Sequence, residues 1–221
     1  LSSVKLTGVA DIEEERASLI AEKYNTKFFT DYRALLKEVD AVSLATPTAT
    51  HYDIGIACIE EGVHILIEKP LTRTKEESER LLALSKEKKL VLATGLIERF
   101  NPAFVAISKL IKKEKPLIVD AKRLSPFPER ISDTSVVFDM MIHDLDLILK
   151  IAGAPVLSLK AEGKKVRSSS LDQAFVSIFF KNGLIANIEA SRVAEEKIRL
   201  ITINCEKSNI EADLLRKKVS M

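Results

Sequence analysis

Between residues 4 and 94, short β-branched runs alternate with longer amphipathic stretches, and that alternation leaves few folds open to the chain. Strands joined through helices pair in parallel, because a parallel connection needs a crossover of a dozen or so residues. Residues 4–10 read as a strand ending at Asp11. A helix is expected over 13–23, with Ala17, Leu19, Ile20 and, just beyond, Tyr24 at helical spacing. A short strand at 27–29 precedes Thr30, the expected N-cap of a helix over 31–37. Residues 41–45 form a buried strand, followed by Thr46-Pro47-Thr48 and a helix over 50–61 that Gly62 stops. Residues 64–67 are a strand, 74–86 a charged amphipathic helix and 91–94 a last strand. The expected class is α/β: a Rossmann-like, doubly wound parallel sheet.

After Arg99 the pattern changes. Helices are expected over 102–112 and 138–151, the second closed by Gly153 and Pro155, with a strand at 117–124 and a stiff Ser125-Pro126-Phe127-Pro128 loop. From Val156 the chain is β-rich, with runs at 156–164, 174–180, 184–190, 200–205 and 209–213. Lys181-Asn182-Gly183 is a hairpin signal. Strands in succession imply a mostly antiparallel open sheet, hence an α+β domain. The boundary is placed near Glu98, giving domains 1–98 and 99–221.

Composition removes several function classes. The 34 basic and 32 acidic side chains are interspersed and leave a net charge of +2, too weak a field to steer nucleic acid. No uncharged apolar run approaches the roughly 18 residues of a membrane helix, so no membrane partner is expected. Leu1-Ser2-Ser3-Val4-Lys5 lacks the n- and h-regions of a signal peptide. The two cysteines, Cys58 and Cys205, have no metal or redox spacing and read as reduced, buried thiols of a cytoplasmic protein.

Three groups of residues carry chemistry. Glu68-Lys69-Pro70 follows directly on a strand, at the carboxyl end where open α/β sheets bind ligands. A lysine ammonium there can stabilise negative charge on a reacting oxygen; the alternative is a surface ion pair. In the segment 138–146, Asp139, His143 and Asp146 share one helix face beside an apolar surface. A histidine oriented by carboxylates suits a general acid/base. The same residues are open to two other readings, a structural ion-pair network and a metal site. Asp11, ending the first strand, suits the adenosine ribose hydroxyls and repels a 2′-phosphate, which favours NAD over NADP; it equally suits a helix cap.

Together these pieces resemble the Gfo/Idh/MocA oxidoreductases, the family of glucose–fructose oxidoreductase and inositol 2-dehydrogenase. The resemblance rests on Gly8-Val9-Ala10-Asp11, Thr30-Asp31-Tyr32, Ala45-Thr46-Pro47-Thr48 with His51, Gly62-Val63-His64, Glu68-Lys69-Pro70, Arg99-Phe100-Asn101-Pro102, and Asp139 with His143-Asp144-Leu145-Asp146. It implies an NAD-dependent dehydrogenase acting on a secondary hydroxyl of a sugar or nucleotide sugar. Lys69 would lie near the nicotinamide and the reacting hydroxyl, His143 would be the acid/base, and Asp139 would hold the substrate. Thr46, Pro47, Thr48, His51, Glu68 and Arg99 would border the cofactor. It further implies a homo-oligomer formed through the C-terminal sheet. Within the family, residues 97–102 and 123–133 look like UDP-N-acetylglucosamine 3-dehydrogenases, with Arg99, Arg123 and Arg130 as fork-shaped donors for a diphosphate. Solvated or domain-bridging arginines are the plainer reading.

The sequence departs from the family at both ends. It holds no G-x-G-x-x-G turn and no strand ahead of residue 4, so the sheet is expected to open in the middle and the pyrophosphate cradle to be missing. On this reading 221 residues is a two-domain enzyme without its first strand and its last ones. Two other classes remain: a non-catalytic dinucleotide- or sugar-sensing relative, and a metal-dependent hydrolase using Asp139, His143 and Asp146.

Overall fold

The computed structural model describes residues 3–128 and 134–221; positions 1–2 and 129–133, Arg130 among them, lie outside the described residues. The chain forms two compact units, Leu1–Gly95 and Leu96–Met221. The division falls ahead of the expected boundary because Glu98, in a 3₁₀ turn at Ile97–Phe100, is bonded into the second unit.

The first unit runs β1 (Gly8–Ala10), α1 (Glu14–Tyr24), β2 (Lys27–Phe29), α2 (Tyr32–Leu36), β3 (Ala41–Leu44), α3 (Thr48–Glu60), β4 (His64–Ile67), α4 (Lys75–Glu87) and β5 (Leu92–Thr94). All its ladders are parallel. They fall into two separate sheets, β1-β2 and β3-β4-β5. The expected strand over 4–10 shrinks to Gly8–Ala10, and Val4 and Leu6 stay exposed with no ladder to bury them. The α2 cap is Asp31, not Thr30, because the Asp31 carboxylate accepts the Arg33 N–H at 3.0 Å. Thr74 and Glu77 form a reciprocal capping box at α4. Ile59, Ile65, Ile67 and Leu81 make the core beneath β3-β4-β5. Helices α3 and α4 approach closely at Gly55, where a Cβ would sit 3.0 Å from Leu81 Cδ2.

In the second unit, α5 (Pro102–Leu110) and α6 (Ile142–Ala152) pack on one face of a seven-stranded sheet. Its strands are β6 (Pro116–Leu124), β7 (Val156–Lys164), β8 (Gln173–Phe180), β9 (Ile185–Ser191), β10 (Ile198–Cys205), β11 (Asn209–Asp213) and β12 (Lys218–Ser220), in the order β12-β11-β10-β6-β9-β8-β7. All pairs are antiparallel except β6 with β9. The period of two is strict: Val119 and Ala121, Ala186 and Ile188, and Ile201 and Ile203 point to the helices. On the opposite face Ile118 and Phe175 stay exposed.

Cys58 lies within the first core and Cys205 at the end of β10, both unpaired and buried. Burial pushes the Cys58 thiol up to about 11 and raises that of Cys205. Because the thiolate is the reactive form, Cys58 in the native protein should resist a maleimide at neutral pH and react on unfolding, as mass spectrometry would show.

Candidate functional site

In the first unit the chemistry-bearing residues collect at the carboxyl ends of the parallel strands, where the helices leave the backbone open. At the end of β1, Asp11 Oδ1 accepts the Glu13 N–H at 2.9 Å, and Arg16 pairs with Oδ2 at 3.1 Å. The Glu13 N–H and the Arg16 guanidinium hold the Asp11 carboxyl below its ordinary range, so it is ionised at neutral pH. After β3, Thr46 and Pro47 are exposed. Their turn is tied to α3 by a 2.7 Å bond between the Thr46 and Thr50 hydroxyls, and the Thr50 hydroxyl donates to the Pro47 carbonyl. After β4, Glu68 accepts the Lys69 N–H at 3.2 Å and the Lys69–Pro70 peptide is cis. The Glu68 carboxylate rests against buried Gly95, where a Cβ would lie 2.8 Å from Oε2. Only a glycine lets the carboxylate lie there.

His51 departs from expectation. It is 1% exposed, and its ring nitrogens face the Thr46 carbonyl at 2.8 Å and the Pro70 carbonyl at 3.0 Å. A side chain so enclosed does not border a cofactor; it joins the turn after β3 to the turn after β4.

In the second unit the helix expected over 138–151 begins as a π-turn, Val137–Met141, in which the Ile142 N–H reaches back five residues to the Val137 carbonyl. Asp139 sits in that turn, and His143 follows in the first turn of α6, half-buried. Such one-residue insertions recur at functional sites. Asp144 turns into the core, where Arg123 grips it with two bonds of 2.7 and 2.9 Å. Arg123 is 2% exposed, and its third contact is Glu98 at 3.1 Å. Its expected role as a diphosphate donor is therefore overturned, since its fork is filled by carboxylates and closed off from solvent. Burial pushes the Glu98 carboxyl up, but Arg123, Asn101 and Arg199 outweigh it and hold it below the ordinary range. Arg99, half-exposed, has its fork on Asp146, with Nε 2.7 Å from Oδ2. That pair removes Asp146 from the Asp139–His143–Asp146 set that a metal reading needed. Arg130 lies outside the described residues.

Residues 1–96 match the N-terminal model of the GFO/IDH/MocA oxidoreductases, described as an NAD-binding Rossmann fold, and residues 119–211 match a C-terminal domain of that family. The UDP-N-acetylglucosamine 3-dehydrogenase of Acidithiobacillus ferrooxidans is 39% identical over 211 residues, which are 96% of this chain and 67% of that protein. The chain belongs to this family. A crystal form of the same A. ferrooxidans enzyme superposes with a TM-score of 0.93, covering 99% of this chain and 72% of that one at 38% identity. The scyllo-inositol 2-dehydrogenase (NAD(+)) of Bacillus subtilis is 31% identical over 86% of this chain. The chain spans 60% of that relative's length.

The residues of this GFO/IDH/MocA chain fit part of NAD. Asp11 offers an ionised carboxylate at a strand end, as the adenosine ribose requires. None of its seven glycines forms a G-x-G-x-x-G turn, so the 221 residues supply no such phosphate cradle.

One cluster escaped the sequence reading. Asp172, fully buried, accepts the N–H groups of Val166, Arg167 and Ser168, the Ser168 hydroxyl, and Arg192 Nε at 2.8 Å. Arg192 also donates to the Thr134 carbonyl and lies 6.0 Å from the Phe127 ring. The pair fastens both flanks of the loop between β6 and the π-turn.

Two outcomes follow from these ion pairs. Asp144→Ala leaves a buried guanidinium half-paired and should cost about 3–5 kcal/mol in urea unfolding. Asp146→Ala, beside a half-exposed arginine, should cost far less. Burial pushes Asp172 up, but the Ser168 hydroxyl and the N–H groups of Ser168, Arg167 and Val166 outweigh it and hold it well below its ordinary value. A lowered folded-state pKa gives stability that is present above the unfolded value of about 3.9 and is lost only as pH falls through the lower one. The Asp172 carboxyl carbon shift should accordingly stay constant in NMR down to about pH 3.

Proposed function

We propose that this chain is part of an NAD-dependent dehydrogenase that oxidises a secondary hydroxyl of a nucleotide sugar, with the C3 hydroxyl of UDP-N-acetylglucosamine as the leading substrate. The observation that carries the reading is Lys69, on a turn braced by Glu68 and by His51 at the carboxyl end of β4. The 39% identity to UDP-N-acetylglucosamine 3-dehydrogenase supports the substrate.

When bound, NAD supplies the acceptor for the hydride leaving carbon. The Lys69 ammonium polarises the hydroxyl oxygen and stabilises the negative charge that develops on it. His143 accepts the hydroxyl proton, and Asp139, in the π-turn one helical turn earlier, holds the substrate. Asp11 takes the ribose hydroxyls and disfavours a 2′-phosphate, which selects NAD over NADP. Thr46, Pro47, Thr48 and Glu68 line the cofactor side of the strand ends. Arg99 belongs to the cofactor and substrate set as the half-exposed cation of the group, and Arg130 to the substrate set.

Two further features belong to the same reading. The exposed Ile118 and Phe175, on the sheet face opposite α5 and α6, support self-association of the C-terminal sheets into a homo-oligomer. Two buried, unpaired cysteines support a cytoplasmic location. Among the described residues no helix is long and apolar enough to cross a membrane.

The test uses the full protein, with NADH formation followed by the absorbance of the reduced nicotinamide. Turnover of UDP-N-acetylglucosamine should exceed that of myo-inositol. Lys69→Ala and His143→Ala should each lower kcat about a hundredfold or more with the circular dichroism spectrum unchanged. Near-normal turnover by either variant would remove that residue from its role, and ligand binding without any NADH formation would favour a sensor.

A further inference from the structure

His51 makes two contacts that constrain its charge. Its Nδ1 lies 3.0 Å from the Pro70 carbonyl oxygen and its Nε2 lies 2.8 Å from the Thr46 carbonyl oxygen, with the ring 1% exposed. A carbonyl oxygen only accepts hydrogen bonds, so each contact requires an N–H on the ring. Neutral imidazole has one N–H, whichever tautomer it adopts, whereas the imidazolium has two. In the neutral form one ring lone pair would face a carbonyl lone pair at hydrogen-bond distance, in a place water does not reach. A buried acceptor left without a donor is costly, and repulsion adds to the cost.

We infer that His51 is held as an imidazolium and that, through its two N–H groups, it is the positioning residue that fixes the Lys69-Pro70 turn against the Thr46-Pro47 turn. The inference rests on the reading of Lys69 as the group that polarises the substrate oxygen. It adds how that lysine's backbone is set in place.

The surroundings bear on whether a charge is tolerated. The turn after β3, Thr46-Pro47-Thr48, carries no ionisable side chain. On α3 the nearest in sequence are the half-buried Tyr52 phenol and Asp53, which is exposed. On the turn after β4 the charged groups are Glu68, whose carboxylate lies against Gly95 and accepts the Lys69 N–H, and Lys69 itself. The N-terminal end of α3 opposes a cation nearby. Against that stand two charge-assisted bonds to carbonyl oxygens, each stronger than its neutral counterpart. Burial disfavours the charged form as well, so these two directed contacts have to hold the cation against both effects.

The geometry also explains why this position needs an imidazole. A glutamine amide has one donating end and one accepting end, so it satisfies one carbonyl and repels the other. A lysine or arginine carries donors on a long chain without the fixed span of an imidazole ring.

The test has two arms on the full protein. In a sample labelled with nitrogen-15 histidine, the three histidines are separated by comparison with His51→Gln. A long-range nitrogen–proton correlation spectrum at neutral pH should show both His51 nitrogens protonated. A pattern with one bare nitrogen would overturn the charge assignment. In the second arm, His51→Gln should keep the circular dichroism spectrum and the KM for the nucleotide sugar near wild type, with kcat lowered about tenfold or more as Lys69 is displaced. A kcat equal to wild type would overturn the positioning role. If His51→Gln does not fold, His64→Gln and His143→Gln identify the His51 signals in the wild-type spectrum by elimination, and His51→Asn repeats the kcat measurement. Failure of the Lys69 reading is separable: Lys69→Ala would then keep its turnover while the spectrum still shows an imidazolium.

Discussion

An arginine on the apolar face of a sheet can hold its charge only if carboxylates follow it into the core. Arg123 is in that position: on β6 it shares a face with Val119 and Ala121, beneath the helices. Asp144 and Glu98 answer it, and Glu98 in turn takes Arg199 from β10 and the Asn101 amide. The 3₁₀ turn Ile97–Phe100, β6, β10 and α6 are thereby locked to one buried charge network. Its geometry is bidentate where the charges are deepest, which is the condition for a buried pair to hold. The rotation of α6 about its own axis, and so the direction of the face that carries His143, is set by Asp144 pointing inward.

The first unit solves a different problem with a similar device. Turns at the ends of parallel strands have backbone carbonyls with no ladder partner, and these must find donors from elsewhere. His51 supplies two, from a helix packed beneath the strands, and so couples two turns that are 24 residues apart in sequence at Thr46 and Pro70. Glu68, folded onto Gly95, couples the same region to the end of β5. The sheet itself is in two pieces, yet the turn bearing Lys69 is held by side chains rather than by ladder bonds alone.

The period-two and helical patterns made nearly every element legible, including the parallel pairing of the first unit and the antiparallel sheet of the second. What failed did so for local reasons. Residues 4–7 have strand-forming side chains but no neighbouring strand, and propensity alone does not make a ladder. The π-turn before α6 was invisible because a one-residue insertion leaves the apolar spacing nearly intact. Arg123 was misread although the signal was present: alternation with Val119 and Ala121 put it on the core side. The His51 pin had no such signal, since its partners are backbone carbonyls and carry no side-chain signature. Asp172 with Arg192 was equally silent, because most of its donors are backbone N–H groups.

These assignments also redistribute charge around the candidate acid/base. Read along the helix, His143 has carboxylates at 139, 144 and 146, a strongly negative neighbourhood. In the folded unit Asp144 is neutralised by Arg123 and Asp146 by Arg99. The two carboxylates nearest in sequence therefore act as anchors for arginines. Asp139 differs in kind: it sits in the π-turn, at the point where the helix is unwound by one residue. Holding α6 in place thus falls to Asp144 and Asp146, while the proposed contact with substrate falls to Asp139.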